Sequence, residues 1–185
     1  MTAHILLFAA WLPAAIIAPA RPPGLPAGSS IEGTWEFVPA KSTQIATWKG
    51  RLPEIVIAAA GVRVSVIQNW LDRGQVAYAD TFLFTPGGPA VRMPVRSVEW
   101  PENWFMGVLA AVGDERKVSG AWKEEGTDLL VTAVQPVLTS QGKTKVTTAR
   151  EYLLGADGTS LTVTEQRSTR PTPVVLVFER KGAKP

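Results

Sequence analysis

The sequence contains no cysteine and a single histidine, His4. Without cysteine, the chain has no disulfide framework, no thiolate metal site and no cysteine nucleophile. His4 lies in a segment that we expect to be removed, so the mature chain would lack histidine as well. That excludes a Ser-His-Asp triad, a haem-ligating histidine and an imidazole zinc site. We therefore expect no metal, no cofactor and a function that is not enzymatic.

Runs of one charge sign are also lacking. The 19 basic and 16 acidic residues are interspersed, and the net charge is +3 with a sequence pI of about 9.4. Nucleic-acid binding requires basic residues arranged to follow the phosphates. No such stretch occurs, so we expect no nucleic-acid partner.

Long apolar runs are limited to the amino-terminal segment. Residues 5–20 are apolar but shorter than the ~20 residues of a membrane helix, and they end in Ala18-Pro19-Ala20, an A-x-A-like cleavage site. We predict a signal peptide over residues 1–20, hence an exported chain with no stable membrane span after cleavage. The segment before residue 5 has no Lys or Arg, so an uncleaved anchor stays the alternative.

Residues 21–30 contain three prolines and two glycines, which predicts a linker. From residue 31 the pattern is one of strands and turns up to residue 182. Val62, Val64 and Val66, for example, alternate with polar residues, as in a half-buried strand. We predict about nine to eleven short strands and no amphipathic helix. Connections short enough for hairpins favour an antiparallel up-and-down barrel over a Greek-key sandwich.

Two local expectations concern proline. Pro94 predicts an edge position for the strand that begins at Val91, because proline cannot donate to a strand ladder. Residues 170–173, which contain two prolines, predict a bend before the last strand. The apolar residues 105–112 fit either a strand or a helical turn, since periodicity does not separate the two over so short a run.

Three short motifs resemble those of a group of small exported bacterial proteins with a lipocalin-like β-barrel. They are Gly33-Thr34-Trp35, Pro39-Ala40-Lys41-Ser42 and the hairpin sequence from Asp157-Gly158 to Thr164. The resemblance implies an all-β barrel of about eight to ten strands and a periplasmic or secreted location. It implies no particular activity.

True lipocalins also carry Gly-x-Trp on the first strand, with the tryptophan packed under a basic residue from the last strand. By that resemblance Trp35 would close one barrel end beneath Arg180 or Lys181. This chain lacks the Thr-Asp-Tyr turn and the helix after the last strand that lipocalins have. Carriage of a lipophilic ligand is therefore implied only by fold-level analogy.

Several residues are candidates for a ligand site. Asp80 interrupts the apolar face of its strand, so it is either buried opposite an arginine such as Arg63 or Arg150, or turned outward by a bulge. Arg150 and Glu151 are adjacent in a strand, so one must face inward, and an inward Arg150 could hold a carboxylate. Aromatic residues could line a pocket, although ordinary core packing is the alternative. They are Trp70, Tyr78, Trp100, Trp104, Trp122 and Tyr152.

These patterns favour an exported binder of a small apolar or amphiphilic ligand. The first alternative is an envelope structural or protein-interaction module whose barrel is filled by its own side chains. A third hypothesis, a histidine-independent barrel isomerase or cyclase, would need a cluster such as Tyr78, Asp80 and an arginine inside one pocket. Interspersed prolines and close-set turns argue against an outer-membrane barrel. The sequence does not predict an oligomeric state.

Overall fold

The structure is a computed structural model, and it describes residues 30–43, 51–97 and 108–182. The predicted signal peptide, all but the last residue of the predicted linker, and the candidates Trp100 and Trp104 lie outside these residues. Eleven strands occur among the described residues. They are β1 (Gly33–Phe37), β2 (Leu52–Ala60), β3 (Arg63–Asp72), β4 (Gln75–Phe84), β5 (Val91–Pro94), β6 (Leu109–Ala110), β7 (Glu115–Glu124), β8 (Asp128–Thr139), β9 (Gly142–Leu154), β10 (Ser160–Arg167) and β11 (Arg170–Arg180).

The strands form where the period-two alternation predicts them. In β3, Val64 and Val66 are buried while Arg63 is exposed and Ser65 is half-buried. The β3–β4 hairpin turns at Arg73 and Gly74, which both have positive φ, at 50° and 80°. Two successive positive φ angles match the right-handed twist of hairpin strands. Among the described residues the one helical element is a 3₁₀ turn, Pro39–Lys41, and none is long and apolar enough to cross a membrane.

The strands form one antiparallel sheet in the order β4-β3-β2-β1-β11-β10-β9-β8-β7-β5, with β6 paired to β8. β1 lies between β2 and β11, so the last strand returns to the first. The sheet thereby curves into a nearly closed barrel. The predicted all-β, up-and-down barrel is confirmed, and β5, which carries Pro94, is an edge strand as predicted.

One seam of the barrel, between β4 and β7, is joined largely by side chains. The Phe84 ring of β4 lies directly over Gly120 of β7, where no side chain occupies the space. Beyond the end of β4, the Gly87 N–H donates to the Gly120 carbonyl at 2.8 Å. β5 follows this turn and pairs with β7, so the sheet begins and ends beside the same seam.

One barrel end is closed around Trp35, which is completely buried. Its indole N–H donates to the Ile31 carbonyl at 2.8 Å, and the Arg180 guanidinium lies 4.2 Å from the ring centroid. Arg180 also donates to the carbonyls of Ser30 and Glu32, each at 2.6 Å. The basic residue over the tryptophan is thus Arg180 rather than Lys181. Gly33 fits beneath it with φ +135°, a conformation suited to glycine.

Two local predictions are resolved by the strands. The predicted bend at residues 170–173 is wrong, because β11 already begins at Arg170. Its two prolines are accommodated by a register shift opposite Glu165 and Arg167, where the ladder is interrupted. In the ambiguous stretch 105–112, Leu109–Ala110 forms a short strand that pairs with β8.

Candidate functional site

The barrel interior changes from apolar to polar along its length. Around Trp35 the inward side chains of Leu161, Val163 and Phe178 are completely buried. Towards the other end the same strands continue to alternate, but their inward positions become polar. Buried there, each no more than 9% exposed, are Gln68, Asp80, Arg116, Gln135, Thr148, Arg150, Glu165 and Arg167.

We call Arg150, Glu165, Arg167 and Arg170 the arginine cluster. Arg150 and Glu165 are directly opposite each other on β9 and β10, and Arg150 Nε donates to Glu165 Oε2 at 3.2 Å. Arg170 donates to the other oxygen, Glu165 Oε1, at 3.1 Å. Arg167 faces Arg170 across the β10–β11 hairpin. One carboxylate therefore lies among three guanidinium groups.

Burial makes this charge distribution unusual. Arg150 is fully buried, Arg167 is 1% exposed and Glu165 is 3% exposed, while the Arg170 side chain is 17% exposed. Buried cations are ordinarily matched by carboxylates, because removing a charge from water costs several kcal/mol. Within the described part of the chain, the cluster carries two more positive charges than negative ones.

Asp80 is buried, and it pairs with Arg116 across the seam. The pair is bidentate, with Asp80 Oδ1 and Oδ2 accepting from two guanidinium nitrogens at 2.6 and 2.7 Å. Arg116 also donates to the Thr81 carbonyl at 2.7 Å. The alternative of an outward Asp80 is wrong, and so are the expected partners: Arg63 is exposed, and Arg150 pairs with Glu165. The sequence does not reveal which strand meets β4 across the seam.

Phe82 connects this ion pair with the arginine cluster. The Arg116 guanidinium carbon lies 4.8 Å from the Phe82 ring centroid, and that of Arg150 lies 5.0 Å from the same centroid. Both distances are within the range of cation–π attraction. The two guanidinium groups therefore contact a single aromatic ring.

A pocket of about 400 Å³, which we call the side pocket, opens along the seam between β4 and β5. Its polar part contains Tyr78, Gln135 and the Asp80–Arg116 pair. Its apolar wall contains Leu83, Met93, Pro94, Val95 and Ala110. A pocket with apolar walls and a few convergent polar groups is typical of small-molecule sites.

A second depression, of about 610 Å³, lies at the turn between β10 and β11. Arg167 and Arg170 border it, together with polar residues such as Thr147, Gln166 and Ser168. We call it the rim depression. The arginine cluster thus adjoins a surface feature at the polar barrel end.

The structure brings some of the sequence candidates together. Tyr78 and Asp80 line the side pocket, and Trp70, 7% exposed, is directly opposite Tyr78 in the β3–β4 register. Arg150 belongs to the arginine cluster. Tyr152 is fully buried in the apolar core, and Trp122 packs against that core. Trp100 and Trp104 remain predictions.

The sequence analysis missed Arg116, Glu165, Arg167 and Arg170. A signal for Glu165 and Arg167 was present, because they continue the period-two series of Leu161 and Val163. Charged residues in an apolar series indicate a buried polar site. Arg116 had a similar signal, two residues before Val118, but its partner could be found only from the tertiary structure.

The arrangement offers little for metal or acid–base chemistry. No group of three or more acidic, histidine or cysteine side chains in the described ranges could hold a metal ion. Tyr78, Asp80 and Arg116 do share the side pocket, as the isomerase or cyclase hypothesis requires. Both Asp80 oxygens accept from Arg116, however, so this carboxylate is not presented to a substrate as a general base.

Comparison with known proteins gives matches among solved structures alone. No family model and no curated protein matches the chain. The chain is similar to a fatty-acid-binding protein of Schistosoma mansoni in complex with arachidonic acid, at 13% identity and a TM-score of 0.49, over 83% of this chain and 98% of that one.

Two further solved structures are similar. The fatty-acid-binding protein isolated from Manduca sexta is 16% identical, with a TM-score of 0.45 over 82% of this chain and 99% of its own. Human cRBP IV is 15% identical, with a TM-score of 0.45 over 81% of this chain and 97% of its own. At these identities and TM-scores the likeness carries no functional argument.

Proposed function

We propose that the protein binds a small amphiphilic molecule with an acidic head group, and that the arginine cluster holds that head group. The excess of buried guanidinium groups over carboxylates carries this proposal. A carboxylate or similar acid would supply the missing negative charge and accept charge-assisted hydrogen bonds. Arginine suits this role because its planar group presents paired donors to a planar anion.

The apolar surroundings of the cluster support an amphiphilic ligand rather than a simple anion. Arg150 stacks near Phe82, and the adjacent inward position on the same strand is Tyr152, a member of the apolar core. A ligand that places its acid among the arginines therefore meets apolar surface next to it. Burial of that surface would contribute about 25 cal/mol per Å².

The proposal is tested by comparing decanoate with 1-decanol in calorimetric titrations of the purified protein. Decanoate should bind at least about tenfold more tightly, because the acid adds charge-assisted hydrogen bonds worth more than 1.4 kcal/mol. Arg150→Met and Arg167→Met should each weaken decanoate binding and leave decanol binding nearly unchanged. Circular dichroism establishes that each variant is folded.

Arg63→Met is the matched control, because it removes an exposed arginine from the outer face of β3. Equal affinity for the acid and the alcohol would contradict the head-group assignment. So would an undiminished affinity for decanoate in both cluster variants. If neither compound binds, the ligand-binding proposal itself fails.

One observation favours a second candidate, a structural or protein-interaction module. The side chains of Trp35, Phe82, Val131 and Phe178 are at most 1% exposed, so this part of the barrel interior is filled by the protein itself. A filled interior is what a module acting through its outer surface would have. Absence of binding in the titrations would favour this candidate.

We also propose that the chain is exported to the periplasm or secreted. The support is the apolar stretch 5–20 followed by Ala18-Pro19-Ala20. Expression of the full chain in a bacterial host, fractionation and amino-terminal sequencing test this. A mature chain beginning near Arg21 is expected, whereas an intact amino terminus in the membrane fraction would indicate an uncleaved anchor.

A further inference from the structure

The filling of the barrel interior restricts where the apolar body of a ligand can lie. This inference rests on the proposed function and concerns the class of acid that is bound. Apolar side chains from opposite sides of the barrel, including Val66, Val118 and Val163, are completely buried. Side chains packed without exposed surface leave no room for a long hydrocarbon chain among them. The body must therefore lie in one of the pockets beside the polar layer.

Two pockets adjoin that layer, and their linings differ. The rim depression is bordered largely by hydroxyl, amide and guanidinium side chains, which offer little apolar surface. The side pocket has an apolar wall that includes Met93, Val95 and Ala110. An apolar body gains more free energy in the side pocket, because the gain is proportional to the apolar area removed from water.

The side pocket is also connected to the arginine cluster. Arg116 lines the pocket and contacts the Phe82 ring at 4.8 Å, and Arg150 contacts the same ring at 5.0 Å. The thickness of one aromatic side chain therefore separates the apolar pocket from the buried excess of positive charge. A single ligand can reach both.

We infer that the side pocket receives the apolar body of the ligand and that the ligand is a medium-sized acid rather than a long-chain one. The volume sets the size. About 400 Å³, at roughly 30 Å³ for a group the size of a water molecule, accommodates on the order of a dozen non-hydrogen atoms. The inferred ligand therefore has an acid head group and an apolar body of about ten to twelve carbons or an equivalent ring system.

Saturated monocarboxylates of six to eighteen carbons, titrated below their micelle concentrations, test this inference. Affinity should rise about two- to fourfold for each methylene while the pocket fills. It should then level off or fall beyond about twelve carbons, because further methylenes remain in water. An affinity that keeps rising to eighteen carbons would overturn the inference and leave the head-group proposal intact.

Ala79 and Ala77 offer a matched pair of substitutions. Both are exposed on the outer face of β4, but only Ala79 is among the residues that line the side pocket. Ala79→Phe should narrow the pocket and shift the preferred chain to fewer carbons, with at least about a fivefold loss for dodecanoate, as for one or two methylenes driven back into water. Ala77→Phe should leave the chain-length profile unchanged.

Met93→Ala provides the opposite change, because it enlarges the pocket and should favour longer chains. If Ala79→Phe and Ala77→Phe give the same profile, the body does not lie in the side pocket and the inference is wrong. If no acid of any length binds, the proposed function fails first, and this result is distinguishable from a shifted or absent chain-length optimum.

Discussion

At the scale of single residues, Glu165 has a central place in the polar end of the barrel. Its two oxygens accept from Arg150 and Arg170, and it is 3% exposed. Removal of one partner from a buried ion pair is far more costly than removal of a charge that is already in excess. The arginine cluster should therefore respond unequally to loss of its acid and loss of one of its bases.

Glu165→Gln should lower the free energy of unfolding by about 3–5 kcal/mol, because three guanidinium groups then remain without a carboxylate in the cluster. Arg167→Met should cost far less or even stabilise the ligand-free protein, since it reduces the excess positive charge. Urea unfolding measured by tryptophan fluorescence gives both values. Equal destabilisation by the two substitutions would contradict the charge imbalance.

Asp128, at the start of β8, is expected to be more stable in its protonated form. Burial raises the pKa of this carboxyl above its usual value of 3.8, and the nearby carboxylates of Glu151 and Glu124 raise it further, although Lys123 opposes them. A raised pKa in the folded state contributes stability below the unfolded pKa, and this contribution is lost as the pH rises through the folded value. Asp128 therefore destabilises the fold at neutral pH.

Asp128→Asn should accordingly raise the free energy of unfolding at pH 7, by less than about 1 kcal/mol because the site is partly exposed and screened. The gain should disappear near pH 3. Asp157→Ala serves as the contrast, because backbone N–H groups of Thr159 and Ser160 lower the pKa of Asp157. It should be destabilising at pH 7, with the loss fading as the pH falls below 3.8. The same sign for both variants would contradict this account.

At the scale of strands, the seam between β4 and β7 depends on one residue without a side chain. Gly120 lies in the middle of β7, where glycine ordinarily weakens a strand. Here it makes room for the Phe84 ring, and a Cβ at this position would overlap that ring. Close approach of two strands, rather than a special backbone conformation, therefore explains this glycine.

Gly120→Ala should destabilise the protein by about 1–3 kcal/mol, the usual effect of overpacking a filled core. Phe84→Leu, which shortens the opposing side chain, should relieve part of that loss when the two substitutions are combined. A double-mutant cycle from urea unfolding measures the coupling, expected to exceed about 0.5 kcal/mol. Strict additivity would show that the ring and the glycine do not interact.

At the scale of the whole molecule, the barrel combines a filled apolar half with a polar end that carries excess positive charge. Any anion that binds the folded state and not the unfolded one stabilises it by mass action. The net charge of +3 is too small to produce a strong general attraction. A specific effect of acids on stability would therefore arise at the arginine cluster.

Decanoate should raise the free energy of unfolding by about 1.4 kcal/mol at a tenfold excess over its dissociation constant. Sodium chloride at the same ionic strength should not reproduce the rise, because chloride lacks the paired oxygens and the apolar body. Thermal unfolding followed by circular dichroism is the measurement. The rise should be lost in Arg167→Met and kept in Arg63→Met, and its persistence in Arg167→Met would contradict a role for the cluster.

The sequence by itself determined the fold class and most strand positions. Alternation such as Val64 and Val66 against Arg63 and Ser65 dictates which side chains face inward, whatever the partner strand, because side chains on a strand point to opposite faces in turn. The same local rule identified Asp80 and Arg150 as polar residues on inward faces. It failed at residues 170–173, where a register shift accommodates two prolines within a strand.

Only the tertiary structure decided which inward residues meet. Asp80 and Arg116 are 36 residues apart along the chain, and their pairing depends on how the sheet curves until β4 approaches β7. The side pocket along that seam, and the link through Phe82 to Arg150, likewise arise from barrel closure. Local periodicity carries no information about closure, because contacts between distant strands depend on the packing of the whole core.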